Sequence, residues 1–169
     1  RPARHQVTQR TLPYYAEPMS RINDIFKTLR SENARALMPF IVGGYPGLDA
    51  TEMIISGLDD AGASIAEIGF PFSDPIADGP VIAAAMHETL CNGTTIDALL
   101  STITRARPRT KAGLIAMVSE SIVHRRGGPA FVQQVADAGF DGLIIPDIDL
   151  AAADELLPTI DACDLAFAM

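Results

Sequence analysis

Apolar, strand-like runs alternate with helix-period patterns along almost all of this chain, and that alternation limits the fold more than any other feature. Leu37 to Val42, Ser64 to Phe70, Gly113 to Val118, Phe140 to Pro146 and Asp164 to Met169 read as five strands. Their near-continuous apolar character is that of strands covered on both faces, as in parallel sheets. The segments between them read as helices. Ser20 is placed to cap a helix whose apolar face is Ile22, Ile25, Phe26 and Leu29. Asp49-Ala-Thr-Glu52 reads as a capping box for a helix that buries Met53, Ile54 and Leu58 and stops at Ala61-Gly62. Further helices are expected from Pro80 to Leu90, from Thr94 onward with Ile96, Leu99, Leu100 and Ile103 inside, from Pro129 to Ala138, and from Leu150 to Leu157.

Strand and helix in alternation define a parallel α/β fold. Asp60-Ala-Gly62 precedes the second strand and Asp137-Ala-Gly139 precedes the fourth. An echo every two β/α units favours a (β/α)8 barrel over a doubly wound sheet. The first strand is not followed by G-x-G-x-x-G, which weighs against a dinucleotide-binding fold.

The 169 residues suit one domain, and 48% apolar with 20% charged residues is a globular composition. The net charge of −8 argues against nucleic acid and anionic membranes as partners. It does not exclude a phosphorylated substrate, which helix N-termini can hold in an acidic protein. No apolar stretch is long and charge-free enough to span a bilayer. Cys91 and Cys163 match no disulfide framework or metal motif and read as reduced thiols of a cytoplasmic protein. His5, His87 and His124 have no partner at metal-ligand spacing, so no metal is expected. Arg125-Arg126-Gly127-Gly128 reads as a solvated basic turn. Residues 1–18 carry three arginines and three prolines without an apolar core and read as a disordered tail, not a signal peptide, ahead of a domain spanning 19–169.

The chemistry concentrates in Glu67-Ile-Gly-Phe-Pro-Phe-Ser-Asp-Pro-Ile-Ala-Asp-Gly-Pro80. Alternation puts Ile65, Glu67 and Gly69 on one face of the second strand and Ala66, Ile68 and Phe70 on the other. A carboxylate inside such a strand is costly unless it is paired or used. A second carboxylate, Asp78, follows on a loop punctuated by proline and glycine. Two carboxylates in unlike settings can divide acid and base work. In a barrel, the ends of the strands and the loops after them carry the chemistry. Asp78 also suits a plain role as cap of the helix opened by Pro80, and Asp74-Pro75 suits a plain turn.

This run closely resembles the signature of the tryptophan synthase alpha subunit family. Met38-Pro-Phe-Ile-Val-Gly-Gly-Tyr-Pro46 and Gly142-Leu-Ile-Ile-Pro-Asp147 resemble that family's first and fourth strands, and the likeness extends from about Met19 to the chain end. The resemblance implies a (β/α)8 TIM barrel, of which strands 1–5 and an N-terminal helix would be present. It implies retro-aldol cleavage of indole-3-glycerol phosphate to indole and glyceraldehyde 3-phosphate. Glu67 would be the general acid–base, Asp78 would bind the indole N–H, and Phe40 would pack on the indole ring. Asp74 and Pro75 would touch a beta subunit in an α2β2 complex. No cofactor is expected here, since pyridoxal phosphate would belong to the beta subunit.

The sequence departs from the family at two places. Met117-Val-Ser-Glu stands where the family usually has a Tyr and an Asn-Pro pair, and Pro146-Asp-Ile-Asp149 stands for Pro-Asp-Leu-Pro. The family's phosphate grip lies in later strands, so little turnover is expected from these residues alone. The alternative implied by those departures is a non-catalytic partner of a beta subunit.

Overall fold

The computed structural model describes residues 20–75 and 78–169. The expected N-terminal tail therefore lies outside the described residues. Five parallel strands, β1 (Phe40–Val42), β2 (Ile65–Gly69), β3 (Gly113–Met117), β4 (Gly142–Ile144) and β5 (Ala166–Ala168), form one sheet in the order β1-β2-β3-β4-β5. Spatial order equals chain order, as in the wall of a β/α barrel and unlike a doubly wound sheet, where the order reverses.

The helices are α1 (Arg21–Ser31), α2 (Leu48–Ser56), α3 (Pro80–Cys91), α4 (Ile96–Ala106), α5 (Glu120–Arg125), α6 (Pro129–Asp137) and α7 (Leu150–Ala162). A 3-10 turn, Arg107–Arg109, follows α4. The strand alternation separates two apolar layers. Ala66, Ile68 and Phe70 of β2 join Leu114, Ala116 and Leu143 beneath the helices, packed with Ile55, Leu99, Ile103, Phe131 and Val135. Phe70 meets Phe131 edge-on at 5.9 Å between ring centroids. On the opposite face Ile65 and Ile115 pack with Ile22, Ile25 and Phe26, so α1 plugs the N-terminal end of the sheet.

Local signals behaved as expected at several ends. Ser20 Oγ accepts from Asn23 N at 3.4 Å, and Thr95 caps α4 by accepting from Ala98 N at 3.1 Å. The two Asp-Ala-Gly echoes end in Gly62 at φ +75° and Gly139 at φ +96°, the left-handed geometry glycine adopts at least cost.

Several expectations are corrected. The Asp49–Glu52 capping box does not form. α2 begins at Leu48 after Gly47, without a side-chain cap, and Glu52 instead receives Arg105 at 3.1 Å and Arg109 at 2.9 Å. Its buried face is Thr51, Ile55 and Leu58, leaving Met53 74% and Ile54 41% exposed. Among the described residues β1 is an edge strand, and α2 packs against α4 on one side. Helix α7 runs through Pro158 to Ala162, because burial of Ala153, Leu156 and Ile160 along one face outweighs the lost proline N–H. A short extra helix, α5, follows Ser119. β1 is also shorter than expected, although Ser64 N and Glu67 N already bond to Leu37 O and Pro39 O ahead of it.

Candidate functional site

Strand register brings the candidate residues to one face. Phe40, Glu67, Ile115, Gly142 and Ala166 are successive partners across the sheet, and Val42, Gly69, Met117, Ile144 and Ala168 form the next row toward the strand ends. Parallel partners share a face, so Phe40 and Glu67 are neighbours on the face opposite the helix layer. Glu67 is half-buried there. The Phe40 ring lies over Gly69. A Cβ on Gly69 would come within 2.5 Å of Phe40 Cζ, so a larger residue there would have to displace the ring.

Beyond that row a cavity of about 430 Å³ opens at the C-terminal ends of β2, β3 and β4. Its floor and walls include Gly69, Phe70, Phe72, Met86, Met117 and Pro146. Its polar lining includes Asp74, Asp78, Ser119 and Asp147. Asp74, Pro75 and Asp78 thus meet at one mouth, while Glu67 and Phe40 lie outside the cavity lining, with Gly69 between them and it. None of the described lining residues is Lys, Arg or His. The cavity suits an apolar, flat body with a hydrogen-bond donor at its acidic rim, and nothing in its lining would neutralise a phosphate.

Asp78 is exposed, and its backbone N donates to Pro75 O at 3.3 Å. The capping role is not taken: the N-cap of α3 is Gly79, without a side-chain cap bond. Asp149, where the family motif has proline, accepts from Ala152 N at 2.9 Å and caps α7. That departure has a local structural purpose. The basic turn is also structural in part, since Arg126 bonds to Asp97 and to Gln134 at 2.6 Å. The hydrogen bond and charge of Arg126 hold the Asp97 carboxyl below its ordinary range.

Asp147 was given no role by its place in the sequence. Its carboxylate accepts from Ser119 Oγ and from Glu120 N, both at 2.8 Å, and so ties the loop after β4 to the start of α5. Ser119 Oγ is also 3.1 Å from Ser121 Oγ. An aspartate just past a strand end is a local signal, but its partners lie 27 and 28 positions away. Among the described residues no group of three or more His, Cys, Asp or Glu side chains is arranged to hold a metal ion.

Sequential parallel strands, an N-terminal helical plug and carboxylates gathered at the strand ends define a partial β/α barrel of the enzyme-bearing kind. The family model described as tryptophan synthase alpha chain matches residues 26–169, and the chain belongs to that family. It is 40% identical over 139 residues to the tryptophan synthase alpha chain of Acaryochloris marina, covering 82% of this chain and 52% of that protein. It is 37% identical over 147 residues to the tryptophan synthase alpha chain of Geobacter sp. (strain M21), covering 87% and 55%. Among solved structures it resembles the tryptophan synthase alpha subunit of Legionella pneumophila, with a TM-score of 0.83, 31% identity, and coverage of 88% of this chain and 57% of that one. A ligand-free tryptophan synthase from M. tuberculosis gives a TM-score of 0.81 at 32% identity, with coverage of 88% and 60%. The chain spans about half the length of the curated relatives it matches.

Proposed function

We propose that these residues form the indole-binding half of a lyase site that cleaves indole-3-glycerol phosphate to indole and glyceraldehyde 3-phosphate in tryptophan biosynthesis. The observation that carries the reading is the joint placement of Phe40 and Glu67 as register partners beside a cavity rimmed by Asp78. Cleavage needs a proton delivered to indole C3 and one removed from the glycerol hydroxyl, and Glu67 is the group assigned to both transfers. Asp78 accepts from the indole N–H and favours the tautomer that breaks, while Phe40 packs against the ring. The phosphate is left to residues beyond these strands, in keeping with a cavity lining that has no cation.

In the same reading the exposed Asp74 and its neighbour Pro75 touch a beta subunit in an α2β2 assembly in the cytoplasm. Indole passes to that subunit, which holds the pyridoxal phosphate, and this chain needs no cofactor. Residues 19–169 act as one domain. No described helix is long and apolar enough to cross a membrane.

The test is indole release from indole-3-glycerol phosphate by the chain together with a polypeptide carrying the second half of a relative's barrel. Indole should form, and Glu67→Gln should reduce its rate by at least about 10²-fold, the lower range for a general acid–base. Undiminished release by Glu67→Gln, or none with the intact chain, would overturn the assignment.

A further inference from the structure

Helix α3 carries a contact that neither the fold nor the proposed lyase site uses. His87 and Cys91 are one helical turn apart, and Cys91 Sγ lies 3.5 Å from His87 Nε2. Both residues are exposed. No other side-chain hydrogen bond involves either of them among the described residues. The His-x-x-x-Cys spacing sets both on one helix face and gives His87 a partner at ligand spacing that was not expected for it.

We propose that His87 and Cys91 form a two-ligand chelate for a thiophilic divalent cation such as Zn²⁺ or Co²⁺. The separation fits the geometry. Metal–sulfur and metal–nitrogen bonds of about 2.3 Å and 2.0–2.1 Å at a tetrahedral angle set S and N about 3.5 Å apart. The two donors need little movement to close on one ion. Thiolate and imidazole also suit such metals better than they suit Mg²⁺ or Ca²⁺. The site is the last turn of a 12-residue helix whose final turn has no basic residue, so a cation there complements the negative end of the helix dipole. The Cys91 thiol releases its proton to solvent as the sulfur–metal bond forms, and water fills the remaining positions. With two protein ligands this is an open surface chelate, distinct from the four-ligand sites that hold folds together.

The experiment is a Co²⁺ titration of the reduced chain, followed by the near-ultraviolet thiolate-to-cobalt charge-transfer band, with Zn²⁺ added to displace it. One Co²⁺ per chain should bind. Loss of an outer-shell partner alone costs about 10–100-fold in metal affinity, so His87→Gln should weaken binding at least about tenfold. Cys91→Ser should abolish the band, and Cys163→Ser should leave it unchanged. Circular dichroism checks the fold, and His87→Ala provides a second removal of the ring. No band at high Co²⁺, a band lost with Cys163→Ser, or full affinity without the His87 ring would each overturn the proposal. None of these results depends on the lyase assignment.

Discussion

Arg107 Nη1 donates to Asp141 Oδ2 at 3.0 Å, joining the end of α4 to the residue just before β4 across 34 positions of chain. Arg107 Nη2 also donates to Thr110 O at 2.6 Å and Ala112 O at 3.0 Å, and Asp141 Oδ2 accepts from Leu114 N at 2.9 Å. Burial pushes the Asp141 carboxyl up and lowers the Arg107 guanidinium, in each case ahead of the attraction between them. The pair therefore acts through directed hydrogen bonds that set where β3 and β4 begin, more than through a net gain in charge energy. Arg107→Ala should destabilise the chain by about 3 kcal/mol, because it leaves a largely buried carboxylate with only Leu114 N and the more distant Arg21, 3.9 Å away, as partners. Urea unfolding measures this, and a change under about 1 kcal/mol would place the pair among ordinary surface contacts.

Gly69→Ala should be costly despite its small size. The added methyl meets Phe40 Cζ at 2.5 Å and Cε2 at 2.8 Å, so the ring must move off the sheet to admit it. A loss of about 1–3 kcal/mol is expected from overpacking. Phe40→Leu should recover part of it in the double variant. If the two substitutions add without coupling, the ring does not lie where the register puts it.

Asp147→Ala removes the carboxylate that receives Glu120 N, the first amide of α5, together with Ser119 Oγ. The cost should resemble loss of a helix cap, about 0.5–2 kcal/mol. Hydrogen exchange should speed up at Glu120 to Val123 and remain unchanged in α2. Uniform acceleration throughout would mean that the clamp is global.

Asp59 should contribute to acid sensitivity. Burial raises its carboxyl, but hydrogen bonds from Thr110, Lys111 and Ala112 and the charge of Lys111 outweigh that and hold it below its ordinary value of 3.8. The unfolded chain then binds the proton more readily than the folded one, so stability rises with pH across this window. The contribution is complete above about 3.8 and is lost as pH falls through the lower folded value. Asp59→Asn should flatten the acid limb of a stability-versus-pH curve. An unchanged limb would assign acid sensitivity to other carboxylates.

Much of this arrangement was legible in short stretches of sequence. The two-residue period of Ile65, Glu67 and Gly69 against Ala66, Ile68 and Phe70 matches the two faces of β2, with the second set in the helix-side core. Strand–helix alternation implies the parallel α/β fold, and the Asp-Ala-Gly echo points from there to the barrel. The helix faces were harder. Met53 and Ile54 are apolar yet exposed, because among the described residues α2 packs chiefly against α4 on one flank. The roles of Asp59, Asp141 and Asp147 are not written in their local sequence for a related reason. Each is an ordinary polar residue locally, and its importance comes from backbone amides brought close by the fold.

The plug formed by α1 has a consequence for the order of assembly. Its docking surface comprises Ile65 of β2, Ile115 of β3, Ile144 of β4 and Ala166 of β5, residues spread over a hundred positions of later chain. Each strand can settle on the one before it, but the first helix has no complete seat until the fifth strand arrives. A helix that precedes every described strand is thus enclosed only by residues from four of them.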